Sequence, residues 1–204
     1  MIRRNFITSF LSGAAATAVA HAASDKSLKN APIVSDRTIP DILVTNQDGK
    51  EYQFYTDLVK NKIVMINFMY AQCEGICPTM TSTLVKVQRA LGDRVGKDVF
   101  MYSVTLKPEQ DDPKAFRHYI QMHGVGKGWN FLRASRTDTD LLRRKLGFVD
   151  SDPKIEADIN QHTGMVRIGN DAINRWMACP ASVPSESIVR RVLWVDPAND
   201  SRLV

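Results

Sequence analysis

The 204-residue chain has a formal net charge of +5 and contains three cysteines. That length suits a single domain with an adequate core. Its basic residues form no dense run of the kind that binds nucleic acid, and three cysteines are too few for a disulfide-framework protein.

Residues 1–22 have the pattern of a secretory signal peptide. Arg3 and Arg4 form a basic start, residues 6–20 are weakly apolar, and Ala20-His21-Ala22 is a small-x-small cleavage site. The apolar stretch is about 15 residues, shorter than the ~20 of a membrane-spanning helix. We expect an exported, periplasmic protein that stays anchored to the membrane only if this segment is not cleaved. Twin-arginine export and ordinary secretion are both open.

The next residues predict a tether and the start of one domain. Residues 23–40 are polar and aperiodic, as in a flexible tether, and we expect the domain to cover 41–204. Asp48-Gly49 between two short apolar runs predicts a β-hairpin. Residues 63–70 are almost all apolar, which is typical of a central strand covered on both faces.

Apolar spacing with Gly and Pro boundaries predicts alternating helices and strands after this point. The predicted elements are a helix after Pro78 ended by Gly92, a strand over 99–104 and a helix from Pro113 to Gly124. After a short apolar piece over 129–132 come a helix over 138–146, a hairpin that turns at Gly169-Asn170-Asp171, and a helix over 185–195. This order predicts an α/β protein: a thioredoxin-like three-layer sandwich with an N-terminal β-hairpin and an added C-terminal hairpin and helix.

Cys73-Glu74-Gly75-Ile76-Cys77-Pro78 lies where the predicted central strand turns into a helix. Two thiols four positions apart can meet on one side of that turn. They can open and close as a disulfide, or both can hold a soft metal ion. The motif has three residues between the thiols, whereas thiol–disulfide oxidoreductases usually have two. An inert disulfide is a third alternative, although so short a loop would constrain the unfolded chain little.

Three histidines and one further cysteine are the remaining candidates. His118 and His123 lie in the predicted helix before Gly124 and are interpreted as surface and helix-end residues. His162 lies in a polar loop before a predicted strand and is either a solvated side chain or a ligand. Cys179 is interpreted as a small buried residue after the hairpin, with a fourth ligand or a redox partner as the alternative.

The motif and its surroundings resemble the Sco/SenC family, thioredoxin-like copper proteins that help deliver copper to the CuA centre of cytochrome c oxidase. The likeness covers most of residues 40–196. Its residues are the Cys-x-x-x-Cys-Pro motif, Phe68-Met69-Tyr70, Pro108, Asp111-Asp112-Pro113 and His162-Thr163. The resemblance implies that Cys73, Cys77 and His162 are copper ligands, for Cu(I) and as a second candidate for Cu(II).

Two departures from the family pattern concern charge. Lys107-Pro108 stands where the family commonly has Asp-Pro, and Gln161 stands where it commonly has Asp. Neither departure changes the implied ligand set of two thiolates and one imidazole. Such a three-ligand set suits Cu(I), whereas a structural zinc site usually has four protein ligands.

The resemblance predicts a metallochaperone rather than an enzyme. The expected partners are the cytochrome c oxidase subunit that carries CuA, or another cuproprotein, and a copper donor or thiol reductant. The alternative is a thiol–disulfide oxidoreductase that uses Cys73 and Cys77 as its redox pair on cysteines of a partner protein.

Overall fold

A mixed β-sheet forms the centre of the computed structural model, which describes residues 39–73, 75–150, 152–158 and 164–198. Its strands are β1 (Leu43–Asn46), β2 (Glu51–Gln53), β3 (Ile63–Met69), β4 (Val99–Thr105), β5 (Trp129–Arg133), β6 (Met165–Asn170) and β7 (Arg175–Pro180). They lie in the order β2-β1-β5-β4-β3-β6-β7. β3, β4 and β5 are parallel, and the outer pairings are antiparallel.

Helices cover both faces of this sheet. They are α1 (Ile76–Leu91), α2 (Pro113–His123), α3 (Arg136–Lys145), α4 (Pro153–Ala157) and α5 (Ser185–Val195). On one face, the Tyr119 ring of α2 lies 5.7 Å from Phe131 of β5, and its hydroxyl is 2.8 Å from that of Thr81 in α1. α5 packs on the same side, against α1, β6 and β7. On the other face, the chain after α3 places Phe148 4.8 Å from Phe68 of β3. The prediction of a thioredoxin-like three-layer fold is confirmed.

The sheet topology brings several chain segments to one edge. Parallel strands β3 and β4 both end there, so the loops that follow Met69 and Thr105 are neighbours. β6 runs antiparallel to β3, with Val166 opposite Asn67, so its first residues lie beside the end of β3. β7 also ends at this edge, where Pro180 pairs with Met165.

The predicted turn of the C-terminal hairpin was wrong. Gly169 and Asn170 lie within β6, and the chain turns over 171–174. Gly169 is required for packing, because a Cβ atom there would lie 2.0 Å from the Trp176 ring. The left-handed residue that closes the turn is Asn174, at φ 50°.

Other differences are small, and some predictions lie outside the described residues. Helix α4 was not predicted, and neither was the π-helical turn over Phe54–Val59 that follows β2. The predicted signal peptide and all but the last two residues of the predicted tether lie outside the described residues. Among the residues described, no helix has the length and apolar character needed to cross a membrane.

Candidate metal centre

The two thiols lie at the edge of the sheet where β3 ends. Cys73 is in the loop after β3, and Cys77 is in the first turn of α1. Helix α1 begins at Ile76, so Pro78 is still in the first turn, where a missing N–H costs no helical hydrogen bond. Both cysteines are reduced thiols and both are buried, Cys73 at 7% exposure and Cys77 at 0%. Any group that reaches the pair from solvent therefore meets Cys73 first.

Hydrogen bonds converge on the sulfur of Cys73. Burial alone would raise the pKa of Cys73, but hydrogen bonds from Cys77, from the Tyr70 hydroxyl and from the Gly75 N–H outweigh burial and lower it. Cys77 contributes through both its thiol and its backbone N–H. The thiolate is the form of cysteine that attacks a disulfide and the form that binds a metal ion. Because the network favours the thiolate, it favours both reactions at Cys73.

Tyr70 connects the thiol to a lysine on the neighbouring loop. Burial raises the pKa of Tyr70, and its hydrogen bond to Cys73 raises it further, so the phenol remains a donor. The Nζ atom of Lys107 lies 3.9 Å from the centroid of the Tyr70 ring, a cation–π contact. The backbone N–H of Lys107 donates to the Thr105 hydroxyl at 2.9 Å, which fixes the start of its loop.

A buried carboxylate holds the loop that carries Cys73. Asp111 is 1% exposed and accepts hydrogen bonds from the Ala71 N–H at 3.0 Å and from the Thr105 hydroxyl. Burial raises the pKa of Asp111, against the opposing effect of these hydrogen bonds and of Lys107. Asp111 therefore ties the chain just before Cys73 to the end of β4.

His162 lies outside the described residues, but the residues on either side of its segment are described. Gly164 is so close to Ile76 that a Cβ atom on it would lie 2.8 Å from the Ile76 Cδ1 atom. The carbonyl of Gly164 accepts a hydrogen bond from the Ala181 N–H at 2.6 Å. On the other side, Asp158 acts electrostatically on Tyr70. Gly164, which follows residues 159–163, thus lies next to the first residue of α1, and Asp158, which precedes them, acts on the tyrosine that donates to Cys73.

The other candidate residues lie apart from the thiol pair. Cys179 is inside β7 rather than after the hairpin, and it is buried opposite Val166. Burial raises the pKa of Cys179, which keeps it a thiol. His118 is exposed, and His123 ends α2 with its ring 4.1 Å from that of Tyr119. Within the described ranges, no three His, Cys, Asp or Glu side chains are close enough to hold one ion.

The donor set at this edge fits a soft metal ion. Two thiol sulfurs lie together with little exposure, and thiolates select Cu(I) over hard cations. The same two sulfurs are also able to form a disulfide, in which state they offer no thiolate to a metal. The site can therefore alternate between metal binding and thiol–disulfide chemistry.

Sequence patterns did not reveal the interactions made by Tyr70, Lys107 and Asp111. All three were noticed as positions shared with or departing from a family pattern, but their contacts with the thiol loop were not predicted. Only their position along the chain could have indicated a role at the site, since each lies at the carboxyl end of a predicted parallel strand or in the loop that follows. Functional side chains collect at that edge in α/β sheets.

Together, the sheet order and the dithiol at the start of α1 define a thioredoxin-like protein with a Cys-x-x-x-Cys centre. The family model described as SCO1/SenC matches residues 34–129, which include both cysteines. The chain is 31% identical over 88 residues to the SCO1 protein homolog of Bacillus subtilis (strain 168), a match that covers 43% of this chain and 44% of that protein. The resemblance to the Sco/SenC family seen in the sequence is thus confirmed over residues 34–129.

Solved structures show the same fold. A SCO1/SenC family lipoprotein from Bacillus anthracis str. Ames superposes with a TM-score of 0.60 at 24% identity, over 77% of this chain and 95% of that one. The copper-bound ScoI of Bradyrhizobium japonicum superposes with a TM-score of 0.58 at 17% identity, over 76% of this chain and 97% of that one. At these identities the likeness establishes the architecture.

Proposed function

We propose that the protein is an exported copper chaperone that holds copper with Cys73, Cys77 and His162. Its target is a cuproprotein, and the CuA centre of cytochrome c oxidase is the one that the family points to. The observation that carries the proposal is the buried pair of thiols, on which several hydrogen bonds converge, with Gly164, two positions after His162, packed against Ile76 between the two cysteines.

The reach of the chain supports His162 as the third ligand. His162 lies two positions before Gly164, and an extended chain spans about 3.3–3.6 Å per residue. The His162 backbone is therefore within roughly 7 Å of Gly164, which contacts Ile76 between the two cysteines. An imidazole on that segment can reach an ion held by both sulfurs.

Unequal exposure of the thiols supports a role in delivery. Cys77 is fully buried and Cys73 is slightly exposed, so a partner's ligand would approach from the Cys73 side. Two thiolates and one imidazole leave an open side on Cu(I), where an incoming thiolate can bind before the ion leaves. Copper is the cargo in this exchange.

Copper loading of reduced and oxidised protein tests the proposal. Reduced apo-protein should bind one equivalent of Cu(I) under anaerobic conditions, and protein with a Cys73–Cys77 disulfide should bind none until it is reduced. Cys73→Ser and Cys77→Ser should each abolish tight binding, and the matched control Cys179→Ala should bind normally. Tight binding by either serine variant, or none by the reduced wild type, would contradict the proposal.

A thiol–disulfide oxidoreductase is the second candidate function. It is favoured by the lowered pKa of Cys73 next to the buried Cys77, an arrangement of an attacking and a resolving thiol. Turnover of a model disulfide peptide with a thiol reductant measures this activity. Rapid turnover without Cu(I) binding would select the oxidoreductase, and copper binding with slow turnover selects the chaperone.

A further inference from the structure

Lys107 brings a positive charge close to the thiol pair by way of Tyr70. Its Nζ atom lies 3.9 Å from the centroid of the Tyr70 ring, whose hydroxyl donates a hydrogen bond to Cys73. Among the described residues, no carboxylate lies within ion-pair distance of Lys107. The charge therefore lies over the Tyr70 ring without an ion pair to a described carboxylate, although it acts electrostatically on the buried Asp111.

The nearby carboxylates do not supply an oxygen ligand to the pair. Asp111 is buried and accepts hydrogen bonds from Ala71 and Thr105. Asp158 is close enough to act electrostatically on Tyr70. In the part of the chain that is described, neither joins the two cysteines in a group able to hold one ion. Among the described residues, the surroundings thus offer a cation and a hydrogen-bond donor, and no carboxylate grouped with the two thiols as a hard ligand that would favour Cu(II).

Charge then distinguishes the two oxidation states of copper. Two thiolates and a neutral imidazole around Cu(I) carry a net charge of about −1, and around Cu(II) about 0, so a nearby cation stabilises the Cu(I) complex more. A hydrogen bond to the cysteine sulfur also withdraws electron density that Cu(II) needs, which is one way proteins tune copper potentials. We propose that Lys107, through Tyr70, biases the Cys73–Cys77 pair toward Cu(I) over Cu(II). This inference rests on the proposed copper function.

Variants of Lys107 measure this bias. Lys107→Met keeps the aliphatic stem and removes the charge. The ratio of Cu(I) to Cu(II) affinity should therefore fall on the order of tenfold. This is the effect expected of a unit charge about 10 Å from the copper at an effective dielectric constant of about 20. Lys107→Arg keeps the charge and should preserve the ratio. Tyr70→Phe keeps the ring but removes the hydrogen bond to Cys73, and it should lower the ratio as well.

The chain also offers a matched control. Lys50 makes the same kind of contact, with its Nζ atom 4.9 Å from the centroid of the Tyr52 ring. That pair belongs to the β1–β2 hairpin and does not contact the thiol loop. Lys50→Met changes the net charge as Lys107→Met does, so it reports any effect of overall charge alone.

The experiment measures both affinities on reduced full-length mature protein by competition with Cu(I)-selective and Cu(II)-selective chelators. Voltammetry of the bound copper gives an independent reading, in which Lys107→Met should lower the potential by about 60 mV for a tenfold change. Lys107→Gln serves as a second neutral variant if Lys107→Met does not fold by circular dichroism.

The outcomes separate this inference from the proposed function. A lower ratio and potential in the neutral Lys107 variants, with Lys107→Arg and Lys50→Met near wild type, would support the inference. If wild type binds Cu(I) and the neutral Lys107 variants match Lys50→Met, the inference is overturned and the chaperone function stands. If wild type binds no Cu(I), the proposed function fails and this inference fails with it.

Discussion

The carboxylate of Asp111 is expected to stabilise both the fold and the loop that carries Cys73. Asp111→Ala removes the acceptor of the Ala71 N–H and of the Thr105 hydroxyl. A buried donor left without a partner costs about 1–3 kcal/mol, so the loss of two such bonds predicts a fall of about 2–6 kcal/mol in the free energy of unfolding. Urea unfolding at neutral pH measures this loss.

Two matched variants make the prediction specific. Asp111→Asn can place its amide oxygen where Asp111 Oδ2 accepts both hydrogen bonds, so it should cost much less than alanine. Asp112 is exposed and caps α2 by accepting from the Ala115 N–H at 2.7 Å, so Asp112→Ala should cost about 1 kcal/mol. If Asp111→Ala costs no more than Asp112→Ala, the reasoning about burial is refuted.

The titration of Asp111 gives a second test with a defined sign. Burial raises the pKa of Asp111 above its ordinary value of 3.8, so the folded state binds the proton more tightly than the unfolded state. Its contribution to stability therefore grows as the pH falls through the folded-state pKa and is complete below 3.8. Relative to Asp111→Asn, wild type should gain stability as the pH falls over that range. An opposite trend would mean that hydrogen bonding outweighs burial at this carboxylate.

Three further predictions concern other residues. Cys179→Ala should fold and bind one equivalent of Cu(I), because Cys179 is buried in β7 apart from the pair; a loss of copper stoichiometry would make it a ligand. His162→Ala should weaken Cu(II) binding more than Cu(I) binding in chelator competition, because imidazole suits the harder ion, and unchanged binding of both would remove His162 from the site. Glu156→Gln should lower the urea-derived free energy of unfolding by about 1–3 kcal/mol, because Arg143 is largely buried and pairs with Glu156. Glu109→Gln, in the exposed pair with Arg136, should leave the midpoint unchanged, and equal effects of the two variants would contradict this view.

Local patterns in the sequence predicted most of the fold because its central elements have strong signals. The apolar run at 63–70 became β3, and the Pro113 and Gly124 boundaries became the ends of α2. The turn at Gly169 was misplaced because a glycine also serves where an aromatic ring packs on the backbone, and a single sequence does not distinguish the two uses. Helix α4 has five residues, too few to show a helical period.

The candidate site was predictable only in part. Spacing alone drew attention to Cys73 and Cys77, whereas His162 came from the family resemblance and remains a prediction. The contact of Lys107 with Tyr70 joins residues on two different loops, and it depends on the parallel pairing of β3 with β4. Such contacts arise from tertiary packing, which periodicity and spacing do not record.

The most direct test of the account is X-ray absorption spectroscopy of the reduced protein loaded with one equivalent of Cu(I). The proposed site predicts two sulfur atoms and one nitrogen atom around copper, with the nitrogen lost in His162→Ala and one sulfur lost in Cys73→Ser or Cys77→Ser. The Cys179→Ala spectrum should match that of the wild type. Three sulfur atoms, or a nitrogen contribution that persists in His162→Ala, would contradict the proposed site of Cys73, Cys77 and His162.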